Sequence, residues 1–482
     1  MTTTNNQTTM SRMLLWALAA LVVARLMSLA LYPLMDTTEA RYGDIARRMV
    51  ERADWVTPWF TDSEPFWGKP PLSFWATALG FKLFGITEFG GRLPHFILGL
   101  LVAAISWSYA RRQSARAAWH AVALLSATLL FIVSSGAVMT DMSLTLGTTL
   151  VMVGFWFALR DEAGKSWFWQ SLMALGFVIG LLAKGPLALV LCGVPIGVWL
   201  IWQRRVFDAW RRIAWLRVVL LVLVFSLPWY VMAELRTPGF LNYFLVGEHF
   251  HRFVTSGWTG DRYGSAHAFP RGGIWLFGLG AVLPWPFLLL PLAFFQRRQR
   301  DFLSAPEKSN GERLYLLLWA LWPCVFFTLS GNILWTYVLP GLPALAILVA
   351  LWTSKQSGKA TEWVLIGGVW ICTATIIVCL GLANSGDYSN RKSARSLMMD
   401  YRTQTQVGEA LYYLGEVPFS ASFYSDGRAR QLGDLAELDA KHPGASALVA
   451  MSLDQQAALP ESTRARFEQL SRRGSMLLMR WR

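Results

Sequence analysis

The chain has 482 residues, 54% of them hydrophobic and 15% charged, with 25 tryptophans and a formal net charge of +14. That balance excludes an ordinary soluble enzyme and points to a protein whose main solvent is lipid. The positive charge does not point to nucleic acid, because the arginines fall in short clusters between apolar runs and no nucleic-acid fold signature accompanies them.

In chain order, the polar start "TTTNNQTT" is expected to lack structure. The first apolar run, 13–35, is long enough to cross a bilayer and is followed by Asp-Thr-Thr-Glu, not by a small-residue cleavage site. It reads as an uncleaved first span. Further spans are predicted at roughly 92–110, 117–135, 142–159, 167–183, 185–202, 213–233, 273–295, 314–331, 334–352 and 362–383, eleven in all. With a cytoplasmic N-terminus, each short basic loop falls inside. These carry Arg111, Arg112 and Arg116; Arg160 and Lys165; Arg204, Arg205, Arg211 and Arg212; Arg297, Arg298 and Arg300; and Lys355 and Lys359. The long loops 36–91 and 234–272 and the tail then lie outside. Residues 1–383 therefore read as an all-α polytopic membrane domain. From 384 to 482 the apolar runs shorten to "PFSASFY", "SALVAMS" and "SMLLMRW", as in a small extracytoplasmic α/β domain that docks or caps. Cys192, Cys324, Cys372 and Cys379 all lie in apolar runs and read as small buried hydrophobes.

The first long loop holds the most informative residues. From Thr38, helical periodicity sets Tyr42, Ile45, Ala46, Met49, Val50 and Ala53 on one side, with Arg41, Asp44, Arg47, Arg48, Glu51 and Arg52 mostly on the other. This describes a helix lying in the membrane interface. Residues 70–85 are apolar but too short to span comfortably, so they lie flat or dip in and out. Asp36 and Glu39 fit a helix N-terminus, where unpaired amides stabilise carboxylates. They also fit a general base held at the bilayer surface. Lys69, between a glycine and two prolines and flanked by aromatics, has a restrained backbone and suits a phosphate; an isolated lysine there would simply snorkel.

The stretches "DTTEARYGDIARRM", "DWVTPWF", "PFWGKPPLSFW", "LFGITEFGGRLP", "TDMSLTLG", "GLLAKGPLALV", "LPWYVMAELRTPGFLNYFLVGEHFHRF" and "LSGNILWTYVLPGLPALAIL" occur in the order that resembles one family. It is the superfamily of protein O-mannosyltransferases, and within it the lipid A aminoarabinose transferases. The likeness covers roughly residues 13–350. It implies the multi-span fold called GT-C, a polyprenyl-phosphate sugar donor, and transfer to a hydroxyl or phosphate acceptor beyond the membrane. The acceptor it implies is lipid A, lipopolysaccharide or another envelope glycan, in the inner membrane of a cell. Attack at the anomeric carbon passes through an oxocarbenium-like state, which calls for a carboxylate to take the acceptor's proton and cations to hold the departing phosphate.

Carried over by motif, Glu39, Asp36 and Asp141 are the candidate catalytic carboxylates. Lys69, Lys184, Arg41 and Tyr337 are the candidates for donor phosphate, and Glu248, His249 and Arg252 match the family's "EH..R" element as second-layer or donor-binding groups. The chain departs from the pattern twice: Thr38-Glu39 stands where the family often has Asp-Glu, and Gly68 where an acidic residue often precedes the "KP" lysine. The first departure leaves open whether Asp36 or Glu39 serves as base, and with the second the acceptor or sugar contacts are expected to differ. No cofactor is implied; His251 beside Glu248 and His249 makes weak evidence for a divalent metal, a question the sequence leaves open. A protein hydroxyl is the alternative acceptor. A lipid or solute transporter is the alternative of another class, but its ionisable residues would gather near the bilayer midplane in matched halves. Here most charge gathers in outer loops and at span ends.

Overall fold

In the computed structural model, residues 2–160, 166–265, 267–295, 311–356, 359–435, 437–438 and 446–481 are described. Lys165, Arg297, Arg298 and Arg300 lie outside the described residues. Seven helices are long and apolar enough to cross a membrane, or up to nine if two bent pairs each count as one. The two remaining predicted spans are shorter: Glu312–Phe327 has 16 residues, and 117–135 is broken into Ala115–Ser126 and Leu129–Ser134. The first helix runs from Thr2 to Leu31, so the polar start continues the span's helix and does not lack structure. A nucleated helix extends at little cost per residue, which lets poor helix formers follow. The helix stops just before Pro33, as the restriction on residues preceding proline demands. Arg25, midway along it, is buried and donates to Ser28 Oγ (2.8 Å) and the Val133 carbonyl (3.0 Å), stapling the first helix to the short helix Leu129–Ser134.

The loop helix Thr38–Arg52 ends where Ala53 takes a left-handed conformation, with φ of 53°. The helix Leu72–Phe84 begins after Pro70-Pro71 and ends at Gly85, with φ of 79°. Thr87 then caps Glu88–Arg111 by accepting from Gly90 N.

Two antiparallel helices carry much of the site. Asp141–Ala158 is buried along its whole length and packs on Ser166–Lys184 through glycines. A Cβ on Gly147 would lie 2.7 Å from Gly180 N, and one on Gly176 would lie 2.6 Å from the Gly147 carbonyl. Small residues let helices in a membrane approach this closely. Because the two helices have 18 and 19 residues and run oppositely, the first residue of one, Asp141, meets the last of the other, Lys184.

The tail forms a five-stranded sheet of β1 (Ala410–Leu414), β2 (Ala429–Leu432), β3 (Ala447–Ser452), β4 (Phe467–Arg473) and β5 (Met476–Trp481), ordered β2-β1-β3-β5-β4. The first three strands pair in parallel and the last two antiparallel, with Val449 of β3 opposite Met479 of β5. β3 is buried on both faces, as its unbroken apolar run requires. The short helix Phe419–Tyr424 packs on the loop helix, joining Phe423 to a buried cluster with Leu34, Tyr42, Ile45 and Phe81. This packing overturns part of the periodicity reading. Asp44, Arg47 and Arg48 are 3%, 2% and 8% exposed, because the tail covers the helix face that would otherwise meet water. Cys379 is exposed, unlike the other three cysteines.

Candidate active site

The site is assembled from five separate stretches. Asp54 fixes the turn after the loop helix by accepting from Val56 N, Thr57 N and Trp59 Nε1, and pairs with Arg236 of the second long loop's approach. Tyr263 ties the two loops together: its hydroxyl donates to the Pro65 carbonyl (2.8 Å) and accepts from Trp67 N (3.0 Å). Lys69 is thereby held facing the second loop. There the chain winds as a π-helix, Tyr243–His251, whose wider turn stacks residues five apart. Tyr243 donates to Glu248 (3.4 Å), and the ring of Phe244 meets that of His249 at 4.6 Å.

A cavity of about 1250 Å³ opens where these stretches meet. Two charged groups line it. In one, Lys69 Nζ lies 2.7 Å from Glu248, which also accepts from Arg252 at 3.0 Å, and Arg252 reaches Asp261 at 3.2 Å. Burial alone would raise the Glu248 carboxyl, but Lys69 and Arg252 outweigh it and hold it down at about 2. In the other, Lys184 Nζ lies 2.7 Å from Asp141 Oδ1 and 5.0 Å from the centre of the Tyr337 ring. His249 links the two groups: its Nε2 is 3.0 Å from the Lys184 carbonyl and its Nδ1 is 2.7 Å from the Phe244 carbonyl. Burial pushes the His249 pKa below the ordinary imidazole value, against the two carbonyl oxygens that accept from its ring. Asn332 holds the same loop by donating to the carbonyls of Arg252 and Thr255, each at 2.6 Å. Arg41 also faces the cavity, donates to the Tyr263 carbonyl, and has a buried Nε without a hydrogen-bond partner. On the membrane side the wall turns apolar, through Leu187, Val190, Phe326, Phe327, Leu334 and Trp335. On the opposite side the tail contributes Glu416, Phe419, Ser422, Arg430 and Gln431.

A profile of the dolichyl-phosphate-mannose-protein mannosyltransferases matches residues 10–244. An undecaprenyl phosphate-alpha-4-amino-4-deoxy-L-arabinose arabinosyl transferase of Pseudomonas fluorescens is 32% identical over 71% of this chain and 59% of its own length. The like-named protein of Yersinia pestis is 30% identical, over 72% of this chain and 62% of its own. The chain thus spans about 60% of the length of these curated relatives. The crystal structure of ArnT from Cupriavidus metallidurans bound to undecaprenyl phosphate superposes with a TM-score of 0.78 at 21% identity, covering 97% of both chains. The chain shares the GT-C fold of that structure.

Within this fold, the structure gathers most of the sequence-predicted site residues but not all. Asp141, Lys69, Lys184, Arg41, Tyr337, Glu248, His249 and Arg252 all line the cavity. Asp36 and Glu39 do not; Thr37 and Thr38 line it in their place. Glu39 turns inward to Arg92, whose guanidinium donates to it at 2.7 and 3.0 Å and to the carbonyls of Leu29, Tyr32 and Pro33. Val138 N adds a third donor to Glu39 at 3.2 Å. Burial alone would raise its carboxyl, but Arg92 overrides burial and holds it below the usual range. Asp36 instead accepts from the backbone and hydroxyl of Ser420 in the tail, and burial pushes its carboxyl up. The two carboxylates expected to include the base thus lie off the cavity lining, each engaged by a partner within the fold. Sequence reasoning missed Arg92, Asp261, Asn332 and Tyr263; none sits in a charged or periodic pattern that marks it. Among the described residues no three His, Cys, Asp or Glu side chains gather as a metal site.

Proposed function

We propose that the protein transfers a sugar from a polyprenyl-phosphate donor to a hydroxyl of an envelope glycolipid, on the extracytoplasmic side of an inner membrane. The observation that carries this is the cavity itself: paired cations and one open carboxylate meet between an apolar membrane wall and a polar roof. The named activity of the undecaprenyl-phosphate aminoarabinose transferases and the ArnT structure bound to undecaprenyl phosphate support the same donor class. The apolar wall suits the polyprenyl chain, and Lys69, Lys184 and Arg252 suit its phosphate.

Asp141 is the base in this reading. Its Oδ1 is held by Lys184, which leaves Oδ2 to take the proton of an acceptor hydroxyl. The hydroxyl oxygen attacks the anomeric carbon as the bond to the phosphate oxygen breaks, and the charge left on that oxygen meets Lys69 and Arg252. Tyr337 and Arg41 fill the remaining donor contacts, and Glu248 sets Lys69 and Arg252 in place without touching substrate. His249 spaces the two charged groups.

The side of the membrane follows from charge. Arg111, Arg112, Arg160, Arg204 and Arg205 lie at the helix ends remote from Asp141 and Lys184, and basic loops stay in the cytoplasm. Residues 1–383 then form the catalytic membrane domain, and residues 384–482 an extracytoplasmic domain that walls the acceptor side. Mass spectrometry of envelope lipids tests the reading, comparing cells lacking the protein with cells carrying the native chain or Asp141→Asn. The expected result is one sugar-bearing lipid that returns only with the native chain. An envelope unchanged by the deletion contradicts it.

A further inference from the structure

We infer that Arg25 is a positioning residue for the transfer reaction: it fixes the turn 133–140, and that turn sets where Asp141 stands in the cavity. The inference rests on the reading of Asp141 as base and adds to it a residue outside the cavity lining. Arg25 is 7% exposed inside the first span, Met10–Leu31, and forms no ion pair among the described residues. Its Nε is buried without a hydrogen-bond partner. An unpaired, incompletely bonded guanidinium within a span costs stability, and such residues mark function. An aliphatic side chain there would carry no such cost.

What the guanidinium does is hold backbone. It donates to the Val133 carbonyl at 3.0 Å and presses on Gly136, where a Cβ would lie 2.3, 2.5 and 2.7 Å from its Nη2, Cζ and Nε. No side chain larger than hydrogen fits between them, so the turn and the arginine are shaped to each other. Three more contacts hold the same turn. The Tyr32 hydroxyl donates to the Gly136 carbonyl (3.4 Å), Val138 N donates to Glu39 (3.2 Å), and a Cβ on Gly99 would lie 2.5 Å from that of Ser135. Through Arg25 and Gly99, the first helix and the helix Glu88–Arg111 both bear on the turn.

The turn delivers Met139, Thr140 and Asp141 to the cavity. Asp141 begins its helix, and Thr140 before it makes no side-chain cap. With no cap to define the helix start, Asp141 is placed by Lys184 on one side and by the turn on the other. Asp141 must come within hydrogen-bond reach of the acceptor hydroxyl, and a shift of about 1 Å costs about a hundredfold in rate. The donor phosphate meets Lys69, Lys184 and Arg252 in this reading. None of these belongs to the turn, so donor binding should not depend on Arg25.

The experiment reconstitutes the full-length protein in vesicles made from envelope lipids of cells lacking it, which supply donor and acceptor. Sugar transfer is followed by mass spectrometry and expressed per folded molecule; binding of undecaprenyl phosphate is measured separately. Arg25→Ala and Gly136→Ala should each lower transfer by about a hundredfold while binding undecaprenyl phosphate within about threefold of the native chain. Both changes break one contact, so the double variant should fall no more than about threefold below the poorer single one. Arg25→Lys, which keeps the charge and a donor for the Val133 carbonyl, should recover about tenfold over Arg25→Ala. Gly136→Ala leaves every charge in place and carries the test if Arg25→Ala does not fold. Native-like transfer in these variants, with Asp141→Asn inactive, overturns this inference and leaves the base reading intact. A matching loss of undecaprenyl phosphate binding overturns it too, because the damage then lies in the donor site. Transfer retained in Asp141→Asn removes both.

Discussion

Replacing Glu39 with glutamine separates a structural carboxylate from a catalytic one. Arg92 is fully buried and donates all five of its N–H groups, two to Glu39 and three to the carbonyls of Leu29, Tyr32 and Pro33. Glu39→Gln keeps one acceptor oxygen but removes the only carboxylate bonded to this guanidinium among the described residues. Breaking one side of a buried ion pair costs about 3–5 kcal/mol. Because Arg92 retains its carbonyl contacts, the lower end, about 3 kcal/mol, applies, which is more than about a hundredfold in the folding equilibrium. Thermal unfolding in detergent, followed by tryptophan fluorescence, should show a clear drop in midpoint. Turnover per folded molecule should stay within about tenfold of the native value. An unchanged midpoint with abolished turnover would refute this reasoning and return Glu39 to the reacting atoms.

Asp141→Asn should lower kcat per folded molecule by about 10²–10⁴-fold, beside a stability loss from leaving the buried Lys184 without its carboxylate; retained turnover per folded molecule removes Asp141 as base. Asp36→Asn should leave both stability and turnover near native at pH 7, since an amide can still accept from Ser420 N and donate to its hydroxyl, and burial already disfavours the charged carboxyl. A large loss of turnover in Asp36→Asn, with the fold intact, contradicts the docking role. Glu248 is held at about 2 in the folded chain against an ordinary 4.5, so its ionised form stabilises the fold fully above about pH 4.5 and that stability is lost as pH falls toward 2. Unfolding midpoints measured from pH 6 to pH 3 should therefore fall more steeply for the native protein than for Glu248→Gln, and parallel curves would show that the pair is not holding the loop.

How much of this was legible in the sequence depended on whether a residue's partner lay close in the chain. Lys69, pinned between glycine and prolines, and Lys184, at a span end, carried local signals, and both line the cavity. The span pattern gave the helical bundle because each apolar run must be satisfied within its own segment in lipid. The partner of Glu39 was not legible because its local context, the start of a helix after a span, is the same whether it faces a cavity or Arg92, and Arg92 comes 53 residues later. The partner of Asp36 was hidden at longer range, Ser420 lying 384 residues away. Periodicity placed Arg47 and Arg48 toward water, which is right for an isolated interfacial helix and wrong once Ser422 and its neighbours cover that face. The π-helical turn that aligns Tyr243 with Glu248 has no signature in side-chain spacing.

The most direct test of the central claim is a structure of the protein with undecaprenyl phosphate bound, determined by electron cryomicroscopy in a lipid nanodisc. The account predicts the phosphate among Lys69, Lys184 and Arg252, with the lipid chain along Leu187, Val190 and Phe326. A phosphate seated away from all three cations, or a lipid that never enters the cavity, would contradict it.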